Sequence, residues 1–198
     1  MKLLIVVLCL MSASLCQPAF AETSVALKTG YIFYAENGKS PYEGNTIMDN
    51  ELTEGGVYIR KIKDNWIYRL DIDNLKTGNT FQKQINAPYE KVDFNFMPVT
   101  LSIGKYIYKN FYCLAGAGYS FNKMIIEKYA TDPFTDSIGN SFVYTVTIGY
   151  DININKWLYL FIEGRFLRGN AKIYINETLD HKEDIGNIGT YAGIGIKF

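Results

Sequence analysis

Hydrophobic and polar residues alternate with a period of two along most of the chain, in segments of roughly ten residues. In the clearest segment, 141–152, every second side chain from Phe142 to Tyr150 is apolar, and Thr145 and Thr147 lie on the opposite face. Residues 157–168 repeat the pattern after a short polar connection. Successive side chains of a strand point to opposite faces, so the two segments predict a β-hairpin with one apolar face.

Eight segments of this kind predict eight strands, at 24–35, 55–63, 66–73, 92–105, 111–125, 141–152, 157–168 and 188–198. The connections alternate in length: short turns are expected at 63–65, 109–110 and 153–156, and long polar loops at 36–54, 74–91, 126–140 and 169–187. Transmembrane barrels place short turns at the periplasmic end and long loops outside the cell. The pattern therefore predicts an all-β, eight-stranded, antiparallel up-and-down transmembrane β-barrel with both termini in the periplasm.

The first residues do not follow the alternating pattern. A basic Lys2, an apolar run over 3–10 and the small-residue site Ala19-Phe20-Ala21 predict a secretory signal peptide, residues 1–21, before a barrel domain at 22–198. Lipidation at Cys16 is the weaker alternative, because Leu15 stands where a small residue is expected. Cleavage would leave Cys113 as the only cysteine, so no disulfide framework is expected.

The high share of aromatic residues suggests where parts of the chain lie. Aromatic residues make up 15% of the 198 residues, a high share for a water-soluble domain. Amphipathic rings favour the interface between membrane and water, and several flank the predicted short turns. The predicted interface aromatics are Trp66, Tyr106, Tyr108, Phe111, Trp157 and Phe198. Twenty basic and 20 acidic residues cancel, so nucleic acid is not an expected partner.

The faces opposite the apolar ones must fill the barrel interior. The predicted interior charge network comprises Lys28, Arg60, Arg69, Asp71, Asp93, Glu163 and Arg165. The interior of an eight-stranded barrel is just wide enough for side chains to fill it, so these charges are expected to pair across the lumen. A lumen path for ions or a substrate is the alternative role for the same residues.

In the fourth predicted strand, the apolar residues change from one face to the other part-way along. Val92, Phe94 and Phe96 share one parity, whereas Val99, Leu101 and their alternate neighbours share the other, and Pro98 lies between the two sets. We predict a β-bulge at 97–99, which would turn both sets toward lipid. Without a bulge, the alternative places the second set inside the barrel and creates an apolar lumen segment.

Candidate catalytic groups are sparse. The only histidine, His181, lies in a charged segment that we predict to be a loop, so the chain offers no pair of histidine and serine on a membrane-level strand. One histidine and one cysteine of the predicted mature chain do not make a metal site. We therefore expect no enzyme activity, no cofactor and no metal.

The last strand carries the most specific resemblance. Thr190, Ala192, Ile194, Ile196 and Phe198 share one face, and the chain stops on an aromatic residue. This ending resembles the C-terminal signature of small bacterial outer-membrane β-barrels. The segments MPVTL at 97–101 and LAGAGY at 114–119 are similar to strands of the outer-membrane protein W and opacity types.

The resemblance implies several partners and roles. The barrel assembly machinery would bind the C-terminal strand, and outer-membrane lipid and lipopolysaccharide would surround the barrel. A structural or surface-interaction role through the extracellular loops, as in protein X and opacity types, is the function we expect, with an unknown extracellular ligand. The alternatives are a narrow passive channel for small, perhaps hydrophobic, solutes, as in the protein W type, and a soluble lipocalin-like barrel with its apolar faces turned inward.

Overall fold

The computed structural model describes residues 22–34, 46–48, 53–81, 90–128, 137–175, 178–184 and 187–198, and it contains no helix within them. The predicted signal peptide, 1–21, lies outside the described residues. The strands are β1 (Glu22–Tyr34), β2 (Thr46–Met48), β3 (Thr53–Lys63), β4 (Trp66–Phe81), β5 (Glu90–Tyr108), β6 (Phe111–Lys128), β7 (Ser137–Ile138), β8 (Ser141–Asn153), β9 (Leu158–Ile175), β10 (Thr178–Asp184) and β11 (Asn187–Lys197).

Eight of these strands close into a barrel. Neighbours pair in the order β1, β3, β4, β5, β6, β8, β9, β11, and β11 returns to pair with β1 from Ser24↔Lys197 to Tyr34↔Asn187. Every pairing is antiparallel. Closure satisfies the backbone of each barrel strand from both sides and leaves no free sheet edge. The predicted eight-stranded antiparallel barrel is confirmed.

The short turns form where the sequence predicts them. Asp64 and Asn65 both have positive φ, at 50° and 71°, which is the backbone of a two-residue type I′ hairpin turn. At the third turn, the Asn155 side chain accepts hydrogen bonds from the backbone N–H of Trp157 at 2.9 Å and of Leu158 at 2.8 Å. Polar turn residues thus close three hairpins at one end of the barrel.

All four predicted loops are partly strand. β2 lies within 36–54, and β7 and the end of β6 lie within 126–140. β4 continues to Phe81 and β5 begins at Glu90, within the predicted loop 74–91. In the predicted loop 169–187, β9 runs to Ile175 and β10 pairs with it as a hairpin that contains His181. In β4 the prediction failed because alternation marks a strand only where one face is apolar, and residues 76–80 are polar or glycine at both parities. In β9 it overlooked a remaining alternation, since Ala171, Ile173 and Ile175 share one parity. The remainder of the predicted loops lies mostly outside the described residues.

Apolar side chains face outward and charged ones face inward. Along β8 the outward residues include Phe142, whose side chain is 77% exposed, and Ile148, while the inward residues Thr145 and Thr147 are buried. The C-terminal strand follows the same rule, with Ile194 and its outward neighbours exposed. Because the apolar faces point outward, the lipocalin-like alternative is wrong.

The predicted bulge at Pro98 is absent. Alternation runs unbroken through it: Phe96 and Pro98 are buried inside, and Met97, Val99 and Leu101 face outward. The ladder to β4 has a gap opposite Met97 and Pro98 but resumes in the same register, since proline lacks an N–H yet needs no extra residue. The alternative lumen segment is wrong as well. Phe96 instead joins an apolar layer inside the barrel, which is why both parities of this strand carry hydrophobic residues.

Candidate functional site

The barrel interior is the candidate site, because it gathers the buried ionisable side chains that the structure describes. Six predicted residues lie there, on β1, β3, β4 and β9, and each is at most 4% exposed. They are Lys28, Arg60, Arg69, Asp71, Glu163 and Arg165. The side chain of the seventh, Asp93, lies outside the described residues, although its backbone pairs within β5.

A central network joins three walls of the barrel. Arg69 on β4 donates to Asp71 at 2.8 Å and to both carboxylate oxygens of Glu163 on β9, at 3.1 Å for the Nη2–Oε2 contact. Lys28 on β1 lies 2.7 Å from Asp71 and 2.8 Å from Asp73. Arg165 completes the chain with an ion pair to Asp73. Each cation therefore contacts a carboxylate on another strand of the barrel.

A second group lies nearer the short turns. Arg60 on β3 contacts Asp151 on β8 at 2.8 Å and donates from Nε to the Ser24 hydroxyl at 3.2 Å. The Tyr106 hydroxyl donates to the same Asp151 carboxylate at 2.6 Å. Together with the central network, the buried interior charges comprise four cations and four carboxylates. The described lumen is thus electrically balanced and cross-linked.

Asp73 and Asp151 were not among the predicted charges, yet their positions carried a signal. Asp73 follows Asp71 by two residues and so shares its face. Asp151 shares parity with the inward residues Thr145 and Thr147. Parity alone would have placed both inside the barrel.

Aromatic rings surround the cations. The guanidinium carbon of Arg60 lies 4.6 Å from the Tyr159 ring centroid, and that of Arg69 lies 4.4 Å from the Tyr58 centroid. The Tyr112 hydroxyl donates to Glu163 at 2.5 Å. A cation over a desolvated ring face gains up to about 2 kcal/mol, so these rings offset part of the cost of burying the charges.

Glycines on neighbouring strands seat these rings. Gly195 pairs directly with Tyr159, and a Cβ at Gly195 would lie 2.2 Å from the ring. Gly149 pairs in the same way with Tyr112, where a Cβ would lie 2.4 Å from the ring. Only a residue without a side chain lets the rings lie flat on the barrel wall.

An apolar layer lies above the charges, toward the long-loop end. It contains Leu75, Phe96, Ile138, Val143, Leu167, Ala171 and Tyr191. All seven are buried, so this layer covers the charge network on the long-loop side.

Five of the six predicted interface aromatics are exposed on the outer surface near the short turns: Trp66, Tyr108, Phe111, Trp157 and Phe198. Lys105 and Lys109 place their ammonium groups 5.7 Å and 5.2 Å from the rings of Trp66 and Tyr108.

The sixth, Tyr106, was predicted wrongly, because its hydroxyl points inward to Asp151. The register between β5 and β6 shifts between Tyr106 and Tyr108, which leaves both Ile107 and Tyr108 facing outward.

A second outward aromatic group, missing from the prediction, lies toward the long-loop end. Tyr119 packs edge-to-face on Phe121 with ring centroids 5.5 Å apart, and on Phe142 at 5.8 Å. Tyr31 on β1 is exposed at a similar distance from the short-turn end of its strand. The parity of these residues in the sequence would have indicated them.

Comparison with known proteins supports the architecture. No family model matches the sequence, and no curated protein matches it. Among solved structures, the outer membrane protein OprG from Pseudomonas aeruginosa superposes with a TM-score of 0.55 at 15% identity, over 91% of this chain and 96% of that chain. The chain has the fold of a small outer-membrane β-barrel.

Two further solved structures resemble this outer-membrane barrel. Neisserial surface protein A matches with a TM-score of 0.49 at 11% identity, over 91% of this chain and 98% of that chain. The outer membrane protein AlkL in lipid bilayers matches with a TM-score of 0.47 at 11% identity, over 92% and 93%. Membership of the protein W, X or opacity type stays a prediction.

Groups suited to metal binding or catalysis are not gathered elsewhere in the described barrel. Its described residues contain no cluster of three or more histidine, cysteine or carboxylate side chains placed to hold a metal ion. Cys113 is half-buried and carries a free thiol. His181 lies in β10 rather than in a loop, and its side chain is outside the described set. Over the same described ranges, no helix has the length and apolar character required to cross a bilayer.

Proposed function

We propose that this chain is a bacterial outer-membrane protein with a closed barrel that supports a surface-interaction region at its extracellular, long-loop end. The observation that carries the proposal is the filled interior. Arg60, Tyr58, Tyr112 and Tyr159 have no solvent exposure, although they lie on the lumen side of their strands. Cross-strand ion pairs and rings occupy the space that a pore would need.

The energy of the charge network argues against ion conduction. A hydrated ion would have to separate buried pairs such as Arg69 and Glu163 in order to pass. Removing one partner of a buried pair costs about 3–5 kcal/mol, because the other charge is left uncompensated. At the upper figure, a state with one broken pair would be populated at roughly one part in several thousand.

The alternative of a channel for hydrophobic solutes also loses support. An apolar lumen segment that would suit it required Met97, Val99 and Leu101 inside the barrel, and these residues face outward. The apolar layer that does lie inside is packed against itself, with Leu167 1% and Leu75 2% exposed. A hydrophobic solute would have to displace this layer and then cross the charge network.

Strand lengths support the surface role. A transmembrane β-strand needs about 9–11 residues, whereas β5 has 19 and β6 and β9 have 18 each. The hairpins start together at the short turns, so the excess projects at the other end. There, β7 and β10 pair with opposite edges of β9. Hydrogen-bonded ladders outside the bilayer would hold binding loops in fixed positions.

The proposal also covers assembly and catalysis. Recognition of the C-terminal strand by the barrel assembly machinery is supported by Phe198, whose outward ring is exposed and whose N–H donates to Thr23 at 2.8 Å. No catalytic role is proposed for the interior, because its carboxylates are held by cations rather than presented at an open cleft.

Solute flux tests the closed lumen. Purified protein would be refolded into liposomes that contain a potassium-sensitive dye and, separately, into planar bilayers. We expect potassium flux equal to that of empty liposomes and no conductance steps. The double variant Arg69→Ala, Glu163→Ala, which removes a central cross-link without changing net charge, serves as the comparison for an enlarged lumen. Regular conductance steps from the unmodified protein would overturn the closed-lumen proposal and favour the channel.

A further inference from the structure

The barrel wall divides between β6 and β8 at the long-loop end. The ladder that joins these two strands ends at the pair Ser120↔Ser141. Beyond this pair, β6 continues to Lys128 along β5, whereas β7 pairs with β9 on the other side of the division. The strand pairs that the structure describes include none between β6 and β7.

A β-bulge separates β7 from β8. From Ile138 to Val143 the chain advances five residues, whereas the partner strand β9 advances four. The irregularity lies at Gly139 and Asn140, between the two strands. A bulge reverses the parity that faces inward, so Ile138 and Val143 both belong to the apolar layer inside the barrel.

Asn122 on β6 bridges the divided wall. Its Nδ2 donates to the Gly139 carbonyl at 2.8 Å and to the Ser141 hydroxyl at 3.1 Å. Its backbone N–H donates to Oδ1 of Asn140 at 3.0 Å. The Ser120 hydroxyl donates to Oδ1 of Asn122 at 2.6 Å and so fixes the orientation of the amide. These side-chain contacts replace the ladder where the backbones of β6 and β8 part.

The bridge holds an apolar side chain over the lumen. Ile138 is 8% exposed and is the member of the apolar layer that β7 supplies. On the β9 side, two residue pairs hold β7, and the Gly139 N–H adds a hydrogen bond to the Lys172 carbonyl at 2.7 Å. A segment with few backbone hydrogen bonds opens locally at a lower free energy than a strand paired on both sides.

We propose that residues 137–140 form a lid over the apolar layer and that Asn122 is the latch that holds this lid closed. In the open state, the hydrogen bonds from Asn122 and the bond from Gly139 to Lys172 are broken, and Ile138 leaves the layer. The apolar layer is then accessible from the long-loop end, while the charge network beneath it stays closed. Asn122 is thus a positioning residue. The lid goes beyond the proposed surface role, because it does not depend on what the long loops bind.

Amide hydrogen exchange, measured by NMR on the protein in lipid nanodiscs, tests the latch. Asn122→Ala removes both Nδ2 hydrogen bonds and keeps the backbone bond to Asn140. We expect the Gly139 N–H to exchange about 30-fold faster than in the unmodified protein, which corresponds to about 1 kcal/mol for each lost hydrogen bond. Asn170→Ala is the control, because Asn170 lies near the lid on β9 but is exposed on the outer face. The control should leave exchange at Gly139 unchanged.

Urea separates opening of the lid from unfolding of the barrel. A local opening exposes little surface, so exchange at Gly139 in the unmodified protein should not depend on urea below the unfolding transition. Exchange at Thr145 and Thr147, in the barrel part of β8, should accelerate with urea.

Two results would overturn the inference. If Asn122→Ala speeds exchange at Gly139 no more than Asn170→Ala does, Asn122 is not a latch. If Gly139 and Thr145 share one urea dependence in the unmodified protein, the lid does not open separately, and this result needs no variant to fold. Potassium flux tests the closed lumen independently, because the charge network lies beneath the lid.

Discussion

Replacing Glu163 by Gln tests whether the lumen network holds the barrel together. Glu163 accepts two hydrogen bonds from Arg69 and one from Tyr112 at 2.5 Å, within a fully buried site. Glutamine keeps the size of the side chain but removes the charge. A hydrogen bond to a charged group contributes about 1.5–3 kcal/mol, and breaking a buried pair costs about 3–5 kcal/mol.

Arg69 keeps its second partner, Asp71, so the lower part of this range applies. We expect Glu163→Gln to lower the free energy of unfolding by about 3 kcal/mol, which is a factor of more than 100 in the unfolding equilibrium constant. The assay is urea unfolding of the protein folded in lipid vesicles, followed by the fluorescence of the outward-facing Trp66 and Trp157 and extrapolated linearly to zero urea.

Tyr112→Phe is the matched variant, because it removes one hydrogen bond to the same carboxylate and leaves every charge in place. It should cost about 1.5 kcal/mol, the lower figure for one hydrogen bond to a charged group. If Glu163→Gln is no more destabilising than Tyr112→Phe, the ion pair contributes nothing beyond its hydrogen bonds, and the reasoning from buried charge is refuted.

Three further predictions concern packing, the corrected tyrosine and orientation. Gly195→Ala should destabilise the barrel by about 1–3 kcal/mol in the same urea assay, since its Cβ would meet the Tyr159 ring, whereas Gly164→Ala, whose Cβ meets nothing within 4 Å, should not. Tyr106→Phe should cost about 1.5 kcal/mol through the lost hydrogen bond to the Asp151 carboxylate, and an unchanged stability would contradict its inward position. Trypsin added to intact cells should cut the long connections and spare the short turns; mass spectrometry of the fragments detects the opposite orientation.

The local pattern of hydrophobic and polar residues was sufficient to predict the eight barrel strands and which face of each is apolar. A strand has a period of two whatever its neighbours are, so the parity of Arg69, Asp71, Glu163 and Arg165 indicated one common side before any pairing was known. The type I′ turn at Asp64 and Asn65 was likewise local, because its positive φ values suit those two residues.

Prediction from alternation failed where the outward face was no longer the only apolar face of the strand. Around Pro98 both parities are hydrophobic, because Phe96 packs in the apolar layer inside the barrel while Val99 faces out. At the far end of β4, residues 76–80 are polar or glycine at both parities, which concealed the continuing ladder. At the far end of β9, Ala171, Ile173 and Ile175 still alternate with polar residues, and the prediction overlooked this signal.

The sequence by itself determined that this chain forms eight strands with an apolar and a polar face. Only the tertiary structure decided which charges meet, because Arg69 and Glu163 are 94 positions apart and contact each other only after β11 closes on β1. It also decided that Gly195 lies under the Tyr159 ring, since that contact depends on the register of β9 against β11. The parity of a residue depends on its own strand alone, whereas its partner across the lumen depends on how the barrel closes and on the register between strands.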